Sequence, residues 1–127
     1  MAEPVRTGGC LCGGVTYRVA EPLSSVSACH CSQCRRQSGH VWASAQAPLA
    51  AVEISGPVRW YAASEGARRG FCPDCGSFLF WRALDEETIS VSLGSLDGAT
   101  GLRLEKHIFC GGKGDYYEIA DGVPQEP

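Results

Sequence analysis

The stretch "ACHCSQCRRQSGH", Ala28 to His40, sets three cysteines within six positions, Cys29, Cys31 and Cys34, and no fourth follows nearby. A closed tetrahedral metal site needs four ligands. The stretch therefore reads as a structural site whose last ligand lies elsewhere, a redox cluster, or a metal site left open for chemistry. The rest of the chain bears on the choice.

With 127 residues and 44% hydrophobic content, the chain has room for one domain with a modest core, expected to span 1–127. Its apolar stretches are broken within a few residues, far short of the roughly 20 that cross a bilayer. The opening "MAEPVRTGGC" lacks the basic-then-apolar order of a signal peptide, so a cytoplasmic protein without membrane partners is expected. A reducing compartment turns eight cysteines toward metal or thiol chemistry and away from a disulfide framework. Close Cys-x-Cys spacing also suits a shared metal better than a bridge. A net charge of -3 argues against nucleic acid as partner. The basic pairs Arg35-Arg36 and Arg68-Arg69 carry weight only if they flank a site.

Short extended segments separated by Gly, Pro and Ser predict a mostly β protein. "GVTYRVA" alternates Val15, Tyr17 and Val19 with Thr16 and Arg18, the period of a half-buried strand. Further strands are expected in "HVWASAQ" from His40, "VEIS" from Val52, "VRWYA" from Val58, "GSFLFWR" from Gly76 and "TISVSL" from Thr88. One helical segment of about two turns is expected over "SQCRRQSG", with Ser32 capping its start and Gly39 ending it. "GSLDG" and "CGGKGD" read as turns, and the tail from Gly122 to Pro127 as loose.

The cysteines then sort into two groups. Cys10 and Cys12 in "GGCLCGG" and Cys72 and Cys75 in "FCPDCGS" are both flanked by turn formers, and two such knuckles facing each other supply four thiolates for a structural zinc. About sixty residues separate them, so this metal would tie distant parts of the chain together. Structural zinc is the plain reading here, preferred over free thiols. Cys29, Cys31 and Cys34 remain, a spacing that wraps three thiolates round one face of a second metal. His30, His40, His107, Cys110, water or an exogenous thiol are candidates for the fourth position. His30 is expected to point away from a metal shared by its neighbours, and Cys110, after Ile108-Phe109, reads first as a small core hydrophobe.

Zinc under three thiolates carries a net charge of about -1 and activates water poorly. An incoming thiol would bind it as a thiolate and stay electron-rich, ready for a small electrophile such as an aldehyde. The water-attacking deaminases with three-cysteine zinc need His-x-Glu, and the three histidines here read "HCS", "HVW" and "HIF".

"GGCLCGGVTY", "CHCSQCRRQSG", "FCPDCGSFLFW", "GSLD" and "KHIF", in this order and spacing, resemble the glutathione-dependent formaldehyde-activating enzyme family, also called the centromere-protein-V family, across nearly the whole chain. The resemblance implies an Mss4-like β-tent of short antiparallel sheets pinned by zinc. It further implies two zinc ions per chain, one structural on Cys10, Cys12, Cys72 and Cys75 and one catalytic on Cys29, Cys31 and Cys34. The implied activity is a carbon-sulfur lyase of the S-(hydroxymethyl)glutathione synthase type, joining glutathione to formaldehyde, with small-molecule thiol and aldehyde as partners. Arg35, Arg36, Arg68, Arg69 or Lys113 would then meet glutathione's carboxylates. The family's late Asp-Trp pair reads Asp115-Tyr116 here, and Cys110 stands where an apolar or β-branched residue is expected.

Two other functions compete. A non-catalytic interaction module, with both metals structural, would need His40, His107 or Cys110 to close the second site. A methionine-sulfoxide reductase would use Cys110 as nucleophile, but the chain lacks the Arg-x-Cys-x-Asn surroundings of that chemistry.

Overall fold

Residues that alternate between apolar and polar side chains leave a strand with one dry face and one wet face, and the described residues form ten strands. The computed structural model describes residues 5–20 and 22–127. In chain order the elements are β1 (Arg6–Gly9), β2 (Thr16–Val19), β3 (Ser24–Cys29), α1 (Ser32–Ser38), β4 (Trp42–Pro48), β5 (Val52–Ser55), β6 (Arg59–Ser64), β7 (Ala67–Phe71), β8 (Phe78–Ala83), β9 (Thr88–Ser92) and β10 (Lys106–Ile108). The fold is mostly β, as the spacing of apolar residues predicts. Among the described residues, no helix is long and apolar enough to cross a membrane.

The strands form a three-stranded sheet, β1-β2-β5, and a seven-stranded sheet, β10-β3-β4-β9-β8-β7-β6. All neighbours are antiparallel except β10, which runs parallel to β3 and sets His107 opposite Ala28. Val15, Tyr17 and Val19 pack with Ala47, Leu79, Phe80, Ile89 and Val91 into the main core between the two sheets. Each fully buried Val, Leu, Ile or Phe side chain there contributes about 1.5–3 kcal/mol of transfer free energy. Tyr17 satisfies its buried hydroxyl with Ser95 Oγ at 2.5 Å.

Alternation leaves the second face of the large sheet to other residues. Cys29 lies opposite Trp42, Ser27 opposite Ser44, Gln46 opposite Ser90, Trp81 opposite Ser90 on its other side, and Arg69 opposite Trp81. These residues, from five adjacent strands, line one cavity of about 500 Å³.

Three expectations need correction. The cap of α1 is Cys31, not Ser32: its sulfur accepts the Cys34 N–H at 3.3 Å, so a candidate metal ligand also starts the helix. Gly39 does end it, at φ 87°, a region that glycine enters without steric cost. The tail is bound. His107 N–H donates to Pro124 O, Glu126 N–H to His107 O and Cys110 N–H to Glu126 O, all at 2.8–2.9 Å. Strand β10 has an open edge, and the tail supplies partners for its backbone groups. Cys110, finally, is half-buried in a 3-10 turn over Cys110–Gly112 rather than in the core.

Candidate active site

The knuckles come together as their turn chemistry requires. Cys10 and Cys12 lie in the β1–β2 connection and Cys72 and Cys75 in the β7–β8 connection, and their four sulfurs all lie within 4.8 Å of one another. Cys10 and Cys12 sulfurs are 3.6 Å apart and Cys12 and Cys72 sulfurs 3.7 Å. A tetrahedron with metal–sulfur arms of about 2.3 Å has edges of about 3.8 Å, so the set fits a metal ion.

Backbone amides complete the fit. Val15 N–H donates to Cys10 Sγ at 3.2 Å and Gly14 N–H to Cys12 Sγ at 3.4 Å. Gly76, at φ 80°, turns the chain directly after Cys75. The Ser77 hydroxyl, with the backbone N–H groups of Ser77 and Cys12, brings the Cys75 thiol down to about 5. Gly14 N–H favours the Cys12 thiolate too, yet the sulfurs of Cys10, Cys72 and Cys75 outweigh it and push Cys12 up to about 12. Four thiolates at this spacing repel one another, and a divalent cation removes that conflict.

The second group stands at one end of the cavity. Strand β3 delivers Cys29, the cap position Cys31, and the first turn of α1 Cys34, with sulfurs mutually within 4.8 Å. No histidine, carboxylate or fourth cysteine among the described residues joins them. Trp42 and Phe78 stack beside the cluster, ring centroids 4.1 Å apart, and give it an apolar flank. Both terminal nitrogens of the buried Arg69 donate to Cys34 Sγ at 3.5 Å, and Nη1 also donates to Gln37 Oε1 at 3.2 Å. Hydrogen bonding with Cys29, then the Arg69 charge, brings the Cys34 thiol down to about 6 against the effect of burial. Cys29 moves the other way, raised by Cys34 and by burial.

The remaining candidates lie elsewhere. His30 points away from the sulfurs and hydrogen-bonds His107 Nδ1 at 2.9 Å and the Tyr117 hydroxyl at 2.8 Å; His107 Nε2 in turn meets Asp121 at 2.7 Å. His40 is exposed and bonds the Tyr116 hydroxyl at 2.7 Å. The basic residues expected to meet carboxylates are mostly tied to the chain's own carbonyls. Arg35 donates to Gly112 O, Arg68 to Ser64, Glu65 and Ala67, and Lys113 to Gly114 and Tyr117. Arg36 lines a separate hollow with Tyr61 and Ala63. The Arg69 contact, the buried histidine chain and the serines of the cavity escape sequence reasoning, although "SVSAC", "WASAQ" and "TISVS" show the serines in strand alternation.

Residues 5–112 match the family model of the glutathione-dependent formaldehyde-activating enzyme. The chain belongs to that family. Among its relatives, an uncharacterized lyase of Schizosaccharomyces pombe is 25% identical over 127 residues, 93% of this chain and 88% of the relative. A crystal structure of a Rhodobacter sphaeroides protein is similar with a TM-score of 0.62 at 28% identity, covering 75% of this chain and 91% of that one. Family membership and the lyase-named relative support a formaldehyde-activating, lyase-type function, and both cysteine clusters of this family member can hold metal ions.

Proposed function

We propose that the chain joins a low-molecular-weight thiol, glutathione in the first instance, to a small aldehyde such as formaldehyde. In the net reaction the thiol sulfur bonds to the carbonyl carbon and the thiol proton ends on the carbonyl oxygen. The reverse breaks that carbon-sulfur bond, which is the lyase direction. Cys10, Cys12, Cys72 and Cys75 hold a structural zinc in this reading. A second zinc on Cys29, Cys31 and Cys34 would supply a position at which an exogenous sulfur binds as thiolate.

The chain's own residues do the rest. Arg69 offsets one negative charge at the three sulfurs, so an anionic fourth sulfur enters a site that is near neutral with its metal rather than one already negative. The stacked Trp42 and Phe78 place an apolar wall beside the cluster, which lowers the local dielectric and strengthens electrostatic contacts on that side. The single observation that carries the reading is three sulfurs at the end of a cavity with no fourth protein ligand among the described residues.

Exchange NMR on mixtures of formaldehyde and glutathione tests the proposal by measuring the rate of adduct formation. Zinc-loaded protein is expected to accelerate exchange, and Cys34→Ser to abolish the acceleration. Protein that carries about two zinc ions and leaves the exchange rate unchanged would overturn it. That result would favour the interaction module.

A further inference from the structure

The cavity that begins at Cys29, Cys31 and Cys34 continues along the large sheet over a polar floor. Ser27, Ser44 and Ser90 are 8%, 7% and 6% exposed, yet all three border the cavity. Their hydroxyls take no hydrogen-bond partner among the described residues and are not sealed from the cavity. Hydroxyls free of protein partners and open to a cavity pair with whatever fills it, water or a ligand, so three on one face make a polar floor on which a ligand's own polar groups can replace water. Gln46 adds an amide beside Ser90, its cross-strand partner. Trp42 and Trp81 border the same space and give it an apolar side.

Charge in the cavity is largely spent. Arg69 is committed to Cys34 and Gln37. Lys106, opposite Ser27 in register, is paired with Glu126 at 3.3 Å. No Asp or Glu among the described residues lines the cavity.

We infer that Ser27, Ser44, Ser90 and Gln46 form a subsite for the body of the thiol, held by neutral hydrogen bonds from its amide or hydroxyl groups rather than by ion pairs on arginines. The ligand class is a thiol whose carbon frame carries several such groups within a few ångströms of the sulfur. Peptide thiols and polyhydroxyl thiols share that chemistry. The inference rests on the reading that an exogenous sulfur binds at Cys29, Cys31 and Cys34.

The test uses the full chain with cobalt in place of zinc and follows the sulfur-to-cobalt charge-transfer band during titration with ethanethiol, 1-thioglycerol, 1-thio-β-D-glucose and glutathione. Polar thiols are expected to bind at least about tenfold tighter than ethanethiol, from two or more net hydrogen bonds. Ser44→Ala and Ser90→Ala should each weaken the polar thiols by about 3–10-fold and leave ethanethiol unchanged, so ethanethiol also reports that each variant's site is intact. Glutathione affinity should change less than about twofold between low and high salt, since screened ion pairs are not the source of binding. The ratio of glutathione to thioglucose affinity tells which source the floor suits. Serine variants that leave every thiol unchanged, with steep salt dependence for glutathione, overturn the subsite alone. If ethanethiol itself fails to move the band, thiol ligation falls and the subsite with it.

Discussion

Both terminal nitrogens of Arg69 lie 3.5 Å from the sulfur of Cys34. Strand β7 thus presents a fixed positive charge to the first turn of α1, across the cluster that the rest of the cavity opens onto. The guanidinium fork is pre-organised by Gln37 and by the face of Phe78, whose ring centroid is 5.3 Å away. Buried charge-assisted hydrogen bonds of this kind are worth about 1.5–3 kcal/mol.

Arg69→Gln is therefore expected to weaken binding of an anionic thiolate at the second site by about tenfold or more, the equivalent of one such bond. Arg69→Lys, which keeps the charge but loses the fork, should recover part of that affinity. Ethanethiol titration of cobalt-substituted variants measures both. Equal affinity in wild type and Arg69→Gln would show that Arg69 serves packing alone.

The two clusters should fail differently. Cys72 is fully buried and its knuckle ties the β7–β8 connection to the β1–β2 connection, so Cys72→Ser is expected to lose most of the cooperative thermal transition. Cys34→Ser should lower zinc content by about one ion per chain and spare most of the melting temperature, because β3, β4 and α1 remain supported by the sheet. Metal analysis beside calorimetry decides the point, and a mild Cys72→Ser phenotype would contradict the structural assignment.

Tyr117 donates or accepts at His30 Nδ1 across 2.8 Å, and His30 is 2% exposed between Cys29 and Cys31. Tyr117→Phe leaves a buried ring nitrogen unpaired, at a cost of about 1–3 kcal/mol. A lower denaturant midpoint and weaker zinc retention at the second cluster are the expected outcomes. Unchanged zinc retention would separate the histidine chain from the cluster.

Acid should release the tail. The backbone N–H of Val123, then the His107 side chain, hold the Asp121 carboxyl below the ordinary value of 3.8. A depressed carboxyl contributes stability that is fully present above 3.8 and is lost as pH falls through its folded value. Amide-exchange protection factors at His107 and Glu126, whose N–H groups pair tail and β10, should therefore fall on acidification below pH 4 once the intrinsic pH dependence of exchange is divided out. Asp121→Asn should flatten that dependence. An identical pH profile in the variant would place the sensitivity elsewhere.

The alternation of Val15, Tyr17 and Val19, the turn formers round each cysteine and the sorting of seven cysteines into four and three are properties of local spacing. They fix the mostly β class, the two cysteine pairs and the trio, because a strand's faces and a knuckle's reach are set within a few residues, whereas the meeting of the two pairs across sixty positions belongs to the folded chain. What lies opposite a residue is a matter of strand order, which local spacing does not encode. Only the folded sheet sets Arg69 against Cys34, thirty-five positions earlier in the chain, and lays Ser27, Ser44 and Ser90 from three strands along one floor. The same long-range pairing binds the tail to β10 and draws His30, His107, Tyr117 and Asp121 into one hydrogen-bonded chain away from the sulfurs. Cys29, Cys31 and Cys34 are legible as a trio from their spacing. That no other described ligand reaches them is decided by tertiary structure, since the chain turns His30 to the opposite side, His40 bonds Tyr116 and Cys110 sits in the turn after β10.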